Sequence, residues 1–241
     1  MGERGAAGGP KTLALNRLDA LAERVQGRAG YKGEALEDVI GAVEATLSSG
    51  ENMGSVENFD HGVQVVSRIV ARLQERGLHE SPDMARALRA LDRLGVLALA
   101  EDFDHVVESV LDLALDAGRG PNGLFQRAAE VMFHLGVKAL DTDSFHFAAA
   151  TLNRMESLCA ETPALTPDVA SDYLGLLAHF WAVGATSQGL VRQSLEHFEF
   201  EPSLAACLQE ARQYHFRRAQ FKTSDLLIKM QRGLRLSEPA A

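Results

Sequence analysis

Leu135-Gly136-Val137-Lys138-Ala139-Leu140-Asp141-Thr142-Asp143-Ser144-Phe145-His146-Phe147-Ala148-Ala149 is the stretch that decides the fold of this chain. Its opening, Leu-Gly-x-x-Ala, recurs at Leu94-Gly95-Val96-Leu97-Ala98 and at Leu174-Gly175-Leu176-Leu177-Ala178, which places the glycines 41 and 39 residues apart. A period in this range marks arrays in which each unit is one helical hairpin that buries its apolar face by stacking on its neighbours. The sequence after the pair repeats as well. Asp102-Phe103-Asp104-His105-Val106-Val107 follows the first copy as Asp143-Ser144-Phe145-His146-Phe147-Ala148-Ala149 follows the second. From Phe103 the apolar positions run Val106, Val107, Val110, Leu113 and Ala114, and from Phe145 they run Ala148, Ala149, Leu152 and Met155, both at helical spacing. Asn58-Phe59-Asp60-His61 opens a helix with the same face (Val63, Val66, Ile69, Val70, Leu73), and Phe59 precedes Phe103 by 44 residues.

On Leu94, Gly95 and Ala98, and on Leu135, Gly136, Ala139, Phe145, Ala148, Leu152 and Met155, the chain resembles the tetratricopeptide family over residues 82 to 202. In that family a Leu-Gly pair in the first helix precedes a turn and a second helix with small and aromatic core positions. The units here run near 40 residues against about 34 in the family, so longer first helices are expected; HEAT and armadillo arrays share the longer period and stand as the alternative. The glycine has a physical reason in such a hairpin, since it lets the facing helix approach closely although it costs roughly 1 kcal/mol of helix propensity against Ala.

The expected fold is all-α, a right-handed superhelical array of hairpins (a tetratricopeptide-like α-solenoid) of about eleven helices: 11 to 29, 34 to 48, 58 to 77, 83 to 100, 103 to 117, 122 to 140, 144 to 160, 167 to 183, 188 to 199, 203 to 220 and 224 to 235. Ser48-Ser49-Gly50, Ser81-Pro82, Gly118-Arg119-Gly120-Pro121-Asn122-Gly123, Thr162-Pro163 and Thr166-Pro167 punctuate the breaks. Four segments follow: a flexible glycine-rich lead (1–10), an N-terminal helical cap (11–50), the array (51–202) and basic capping helices (203–241). Seven prolines and 6% aromatic residues agree with helices, and no stretch alternates as a strand would. Cys159 and Cys207, 48 residues apart with no partner at metal-ligand spacing, read as reduced core residues. The longest apolar run, Leu174 to Ala185, contains His179 and falls well short of the roughly 20 residues that span a bilayer. A cytoplasmic protein is expected.

Charge is unevenly placed within a net of −9. Residues 34–116 carry six basic and seventeen acidic groups, whereas 211–235 carry seven basic and one acidic. An acidic body disfavours a nucleic acid lying along the array, because phosphate contacts need clustered Lys and Arg. In the C-terminal segment Arg212, Arg217, Arg218, Lys222, Lys229, Arg232 and Arg235 interleave with Tyr214, Phe216, Phe221, Leu227, Met230 and Leu234. Such a basic amphipathic segment suits an acidic partner, an anionic membrane surface, or the acidic middle of a second copy in a homo-oligomer. The plainer reading is a cap whose apolar face closes the array.

No His-Glu-x-x-His pair, Gly-rich phosphate loop ending in Gly-Lys-Ser or Gly-Lys-Thr, or Gly-x-Ser-x-Gly elbow is present, so no enzyme, cofactor or metal site is expected. His61, His105 and His146 recur at the starts of second helices, with Asp60 and Asp104 beside the first two; a helical-repeat enzyme or ligand sensor built on such Asp-His pairs is the alternative. The resemblance implies a partner-binding groove lined by first helices. Carried over from Gly95, Gly136 and Gly175, its candidates are Arg89, Asp92, Arg93, Glu130, Phe133, His134, Asp172, Tyr173 and His179, with Phe133 and Tyr173 equally readable as core. The lysine and asparagine clamp with which some members hold a terminal carboxylate has no match here, so a chaperone tail is not the expected ligand. The leading expectation is an adaptor that grips a peptide or helix of another protein. Its second alternative is a peripheral membrane protein docking through Arg217, Arg218, Lys222, Lys229 and Arg232.

Overall fold

In the computed structural model, the described residues are 56–79, 81–119, 124–161, 167–186, 191 and 204–235. They form eight helices and no strand: α1 (Val56–Glu75), α2 (Pro82–Ala100), α3 (Asp104–Gly118), α4 (Phe125–Asp141), α5 (Phe145–Glu161), α6 (Pro167–Ala182), α7 (Leu204–Arg217) and α8 (Phe221–Gly233). The lead at 1–10, the cap at 11–50 and the expected helices at 11–29, 34–48 and, apart from the helical and buried Val191, 188–199 lie outside the described residues.

The helices end alike, and the reason is local. In six of them the chain closes through one residue in the left-handed region: Gly77 (φ 68°), Asp102 (56°), Asp143 (58°), Gly184 (70°), Ala219 (60°) and Arg235 (55°). In the first five the next backbone N–H reaches back five residues: Leu78 to the Leu73 carbonyl (2.9 Å), Phe103 to Ala98 (3.0 Å), Ser144 to Ala139 (2.8 Å), Ala185 to Phe180 (3.1 Å) and Gln220 to His215 (2.9 Å). This closing bond satisfies carbonyls that a helix C-terminus leaves without partners. Asp102, Asp143 and Gly184, which close α2, α4 and α6, follow one another at intervals of 41 residues. At its other end α2 is fixed by Ser81, whose Oγ accepts from the Met84 N–H at 3.2 Å while Pro82 fills the first turn.

These turns correct the register read from the sequence. Ala98 and Ala139 of the Leu-Gly-x-x-Ala strings supply the closing carbonyl, but in the third copy Phe180 supplies it and not Ala178. The Leu174-Gly175 string therefore sits two residues earlier in its helix than its counterparts. Phe103 is matched by Ser144, each following the left-handed residue, and not by Phe145. Phe145 accordingly points outward, 47% exposed, and Phe147 fills the buried place that the family pattern gave to Phe145. The break between the last two helices also moves, to Arg218–Gln220 from the expected 221–223, because Ala219 takes the turning conformation.

The chain divides into two compact units, 1–113 and 114–241. In the first, α1 packs on α2. Val66, Ile69 and Leu73 of α1 and Met84, Leu91 and Leu94 of α2 are buried at the spacing that set them on one helix face. The Phe59 and Phe103 rings meet edge to face at 5.2 Å, so the 44-residue spacing between them is a contact. In the second unit α6 is the central helix and packs on α4, α5, α7 and α8. Every residue from Ala170 to Phe180 is buried. The close approach expected of the motif glycines is present at two of them: a Cβ on Gly136 would collide with both Leu176 Cδ atoms, and one on Gly175 with the His215 ring and with Phe133 Cε2.

Candidate functional site

The expected groove residues separate. Arg89, Asp92 and Arg93 belong to the first unit, with both arginines exposed on α2. Glu130, Phe133, His134, Asp172, Tyr173 and His179 belong to the second, where Phe133, Asp172, Tyr173 and His179 are buried and display nothing to a ligand. The cause is Gly175. Where a side chain on α6 would hold its neighbours apart, the missing Cβ lets Phe133 of α4 and His215 of α7 meet with ring centroids 5.0 Å apart.

A polar seam crosses this closure. The Tyr214 hydroxyl donates to Asp172 Oδ2 at 3.0 Å, and Gln126 Nε2 donates to the same oxygen at 3.2 Å and to the Tyr214 oxygen at 2.6 Å. Arg218 Nη1 donates to the Tyr214 oxygen at 2.5 Å, pairs with Glu130 Oε1 at 2.7 Å, and its guanidinium sits 4.8 Å from the Tyr214 ring centre. Asp172 Oδ1 is buried without a hydrogen-bond partner. Burial pushes the Asp172 carboxyl up to about 7, against the opposing pull of the Tyr214 hydrogen bond. Burial likewise raises the Tyr214 hydroxyl, and the Asp172 charge beside it adds to the rise.

Beneath the seam lie two histidines held neutral. His179 Nε2 and Thr223 Oγ1 are 2.9 Å apart, and burial, with Lys222 nearby, lowers this imidazole to about 4. His215 donates through Nε2 to the Ser171 carbonyl at 2.8 Å, while its Nδ1 lies 2.6 Å from the side-chain amide of Gln220, whose other end is 3.2 Å from His134 Nε2. Burial lowers His215 too. Gln220 thus bridges two imidazoles, with its Oε1 toward His215 Nδ1 and its Nε2 toward His134 Nε2.

The basic tail is reorganised as well. Arg218 is taken up by Glu130 and Tyr214, and Lys222 Nζ reaches Asp141 Oδ1 at 3.2 Å. Lys229 and Arg232 are exposed on α8, whose apolar residues Leu227 and Met230, with Leu234 beyond it, are buried as a cap's would be. What stays outward is a corner between α7 and α8. Phe216 and Phe221 stand 61% and 54% exposed, their rings edge to face at 5.3 Å. Beside them a pocket of about 230 Å³ is lined by Arg212, Gln213, Phe216 and Arg217. Arg212 and Phe216 had only their interleaved spacing to mark them; nothing in the sequence separated these outward residues from those the seam absorbs.

One of the recurring histidines, His105, pairs with an aspartate other than its sequence neighbour Asp104. His105 Nε2 meets Asp60 Oδ1 at 3.1 Å, across 45 residues, with both side chains about half exposed. Among the described residues no three His, Cys, Asp or Glu side chains gather to hold a metal ion, and no helix is long and apolar enough to cross a membrane. Cys159 and Cys207 are buried, and no disulfide joins them.

No protein-family profile matches the chain, and no curated protein does. Among solved structures it is similar to a de novo designed helical repeat protein at 17% identity, over 93% of this chain and 94% of that one, with a TM-score of 0.27. At that score the all-α architecture rests on the helices and turns described above.

Proposed function

We propose that this protein is a non-catalytic interaction module, an adaptor on a tetratricopeptide-like scaffold in the reducing cytoplasm, that binds a segment of another protein at the corner between α7 and α8. The observation that carries this reading is the exposed Phe216–Phe221 pair. Two large rings held in mutual contact at a surface are already ordered, so a partner gains their apolar area with little further loss of side-chain freedom. The adjoining pocket, at about 230 Å³, is below the ~300 Å³ at which small-molecule sites begin, and suits a single side chain. The buried seam has the opposite character, a closed network that fixes α4, α6 and α7 together.

Selection of a displayed random peptide library on the intact protein tests the reading. Enriched peptides are expected to lose at least tenfold in affinity when Phe216 and Phe221 are both replaced by Ala, about 1.4 kcal/mol. A selection that enriches nothing, or peptides indifferent to both phenylalanines, overturns it.

A further inference from the structure

Resting on that reading, we infer that the α7–α8 corner takes an acidic protein segment, with carboxylates of the partner seated between Arg212 and Arg217 and an apolar side chain of the partner against Phe216 and Phe221. The cations of this end divide into those already engaged and those not. Arg218 is bound to Glu130, and Lys222 to Asp141. Arg212 and Arg217 are exposed, line the same pocket with Phe216 between them, and take part in no ion pair among the described residues. Two planar guanidinium groups flanking an aromatic ring match carboxylates next to an apolar residue, because each fork accepts a carboxylate in bidentate fashion.

The chain's net charge of −9 does not oppose this docking, since charges beyond about 8 Å are screened at physiological ionic strength and the local pair of arginines decides. The same net charge does oppose a nucleic acid, whose binding grows with the number of phosphates neutralised and would find few cations here. A membrane surface is disfavoured because the apolar residues Leu227 and Met230 of α8 are buried within its own unit and are not free to lie in a bilayer interface.

The charge of the selected peptides is the first readout, with Asp or Glu expected on either side of an apolar residue. The second is a charge exchange measured by fluorescence anisotropy. Arg212→Glu with Arg217→Glu is expected to weaken the acidic peptide at least tenfold and to gain binding of the same peptide with its acids changed to Lys, a gain that a misfolded variant cannot give. Raising salt from 0.05 to 0.5 M, about a threefold fall in Debye length, is expected to weaken the wild-type complex and leave a neutral analogue unaffected. Selected peptides that are neutral or basic, yet depend on Phe216 and Phe221, overturn the acidic partner while leaving the corner as an interface. Failure of every peptide overturns both. Flotation with phosphatidylserine vesicles that is abolished by the arginine replacements, or concentration-dependent self-association abolished by them, overturns the inference in favour of a lipid surface or a second copy.

Discussion

Asp172 shows how a single carboxyl sets the pH response of its surroundings. Its pKa, about 7, is above that of the unfolded chain, so the stability it contributes is full below about pH 4 and is lost as pH rises toward 7. His179 and His215 act with the opposite sign: their lowered pKa values give stability that is present above pH 6.5 and is lost as pH falls from there. These groups therefore pull the stability of the second unit in opposite directions across the neutral range. Asp172→Asn is expected to keep the Tyr214 and Gln126 donors engaged, to raise urea stability at pH 8 by about 1–3 kcal/mol as the buried charge is removed, and to flatten the alkaline side of the profile. An unchanged profile in urea titrations from pH 5 to 8 contradicts this account. Gly175 is the other residue on which the seam depends. Gly175→Ala drives a methyl group into the hydrogen-bonded His215 ring, and a loss of about 1–3 kcal/mol is expected by the same measurement. Gly136→Ala meets Leu176 Cδ atoms at 2.7 and 2.8 Å, the far end of a flexible side chain, and is expected to be milder.

Among the elements, the left-handed closing turns are what make the helices recur. Their positions explain which parts of the fold could be read in advance. The apolar period of α1, α2 and α3 and the Ser81-Pro82 start were legible because each is local. The register of the third repeat was not, since Leu174-Gly175 looks identical to its predecessors and only the turn at Gly184 reveals the slip. Asp102 and Asp143 gave no warning of a left-handed backbone, for Asp is equally common in a first helical turn. Ala219 is less suited to that conformation than the glycines and aspartates that take it elsewhere. Ala219→Gly is expected to stabilise the protein by about 0.5–1 kcal/mol, relief of the left-handed strain exceeding the entropy a glycine adds to the unfolded chain; thermal unfolding checks the sign. The burial of groove candidates was hidden for a related reason: Glu130, His134 and Asp172 share one neighbourhood, but sequence offsets carry no information about whether a small residue lets the helices close on one another.

For the molecule as a whole, two contact units within one chain make independent unfolding the expectation, as in arrays whose stability is summed unit by unit. Trp181, the single tryptophan, lies in the second unit with its ring against Gly233 of α8. Urea unfolding followed by its fluorescence is expected to have a different midpoint from helix loss by circular dichroism, and the fluorescence midpoint should follow the ionisation of Asp172 more closely, since helix loss averages both units. Coincident curves at every pH would show that the units melt together. Cys159 on α5 and Cys207 on α7 extend this to kinetics. Burial raises their thiols to about 12 and about 11, so at pH 8 the nucleophilic thiolate is scarce on either, and both sulfurs are shut away from reagents. The native second unit is thus chemically silent toward alkylation, and each label that iodoacetamide leaves on it is the timestamp of a separate opening.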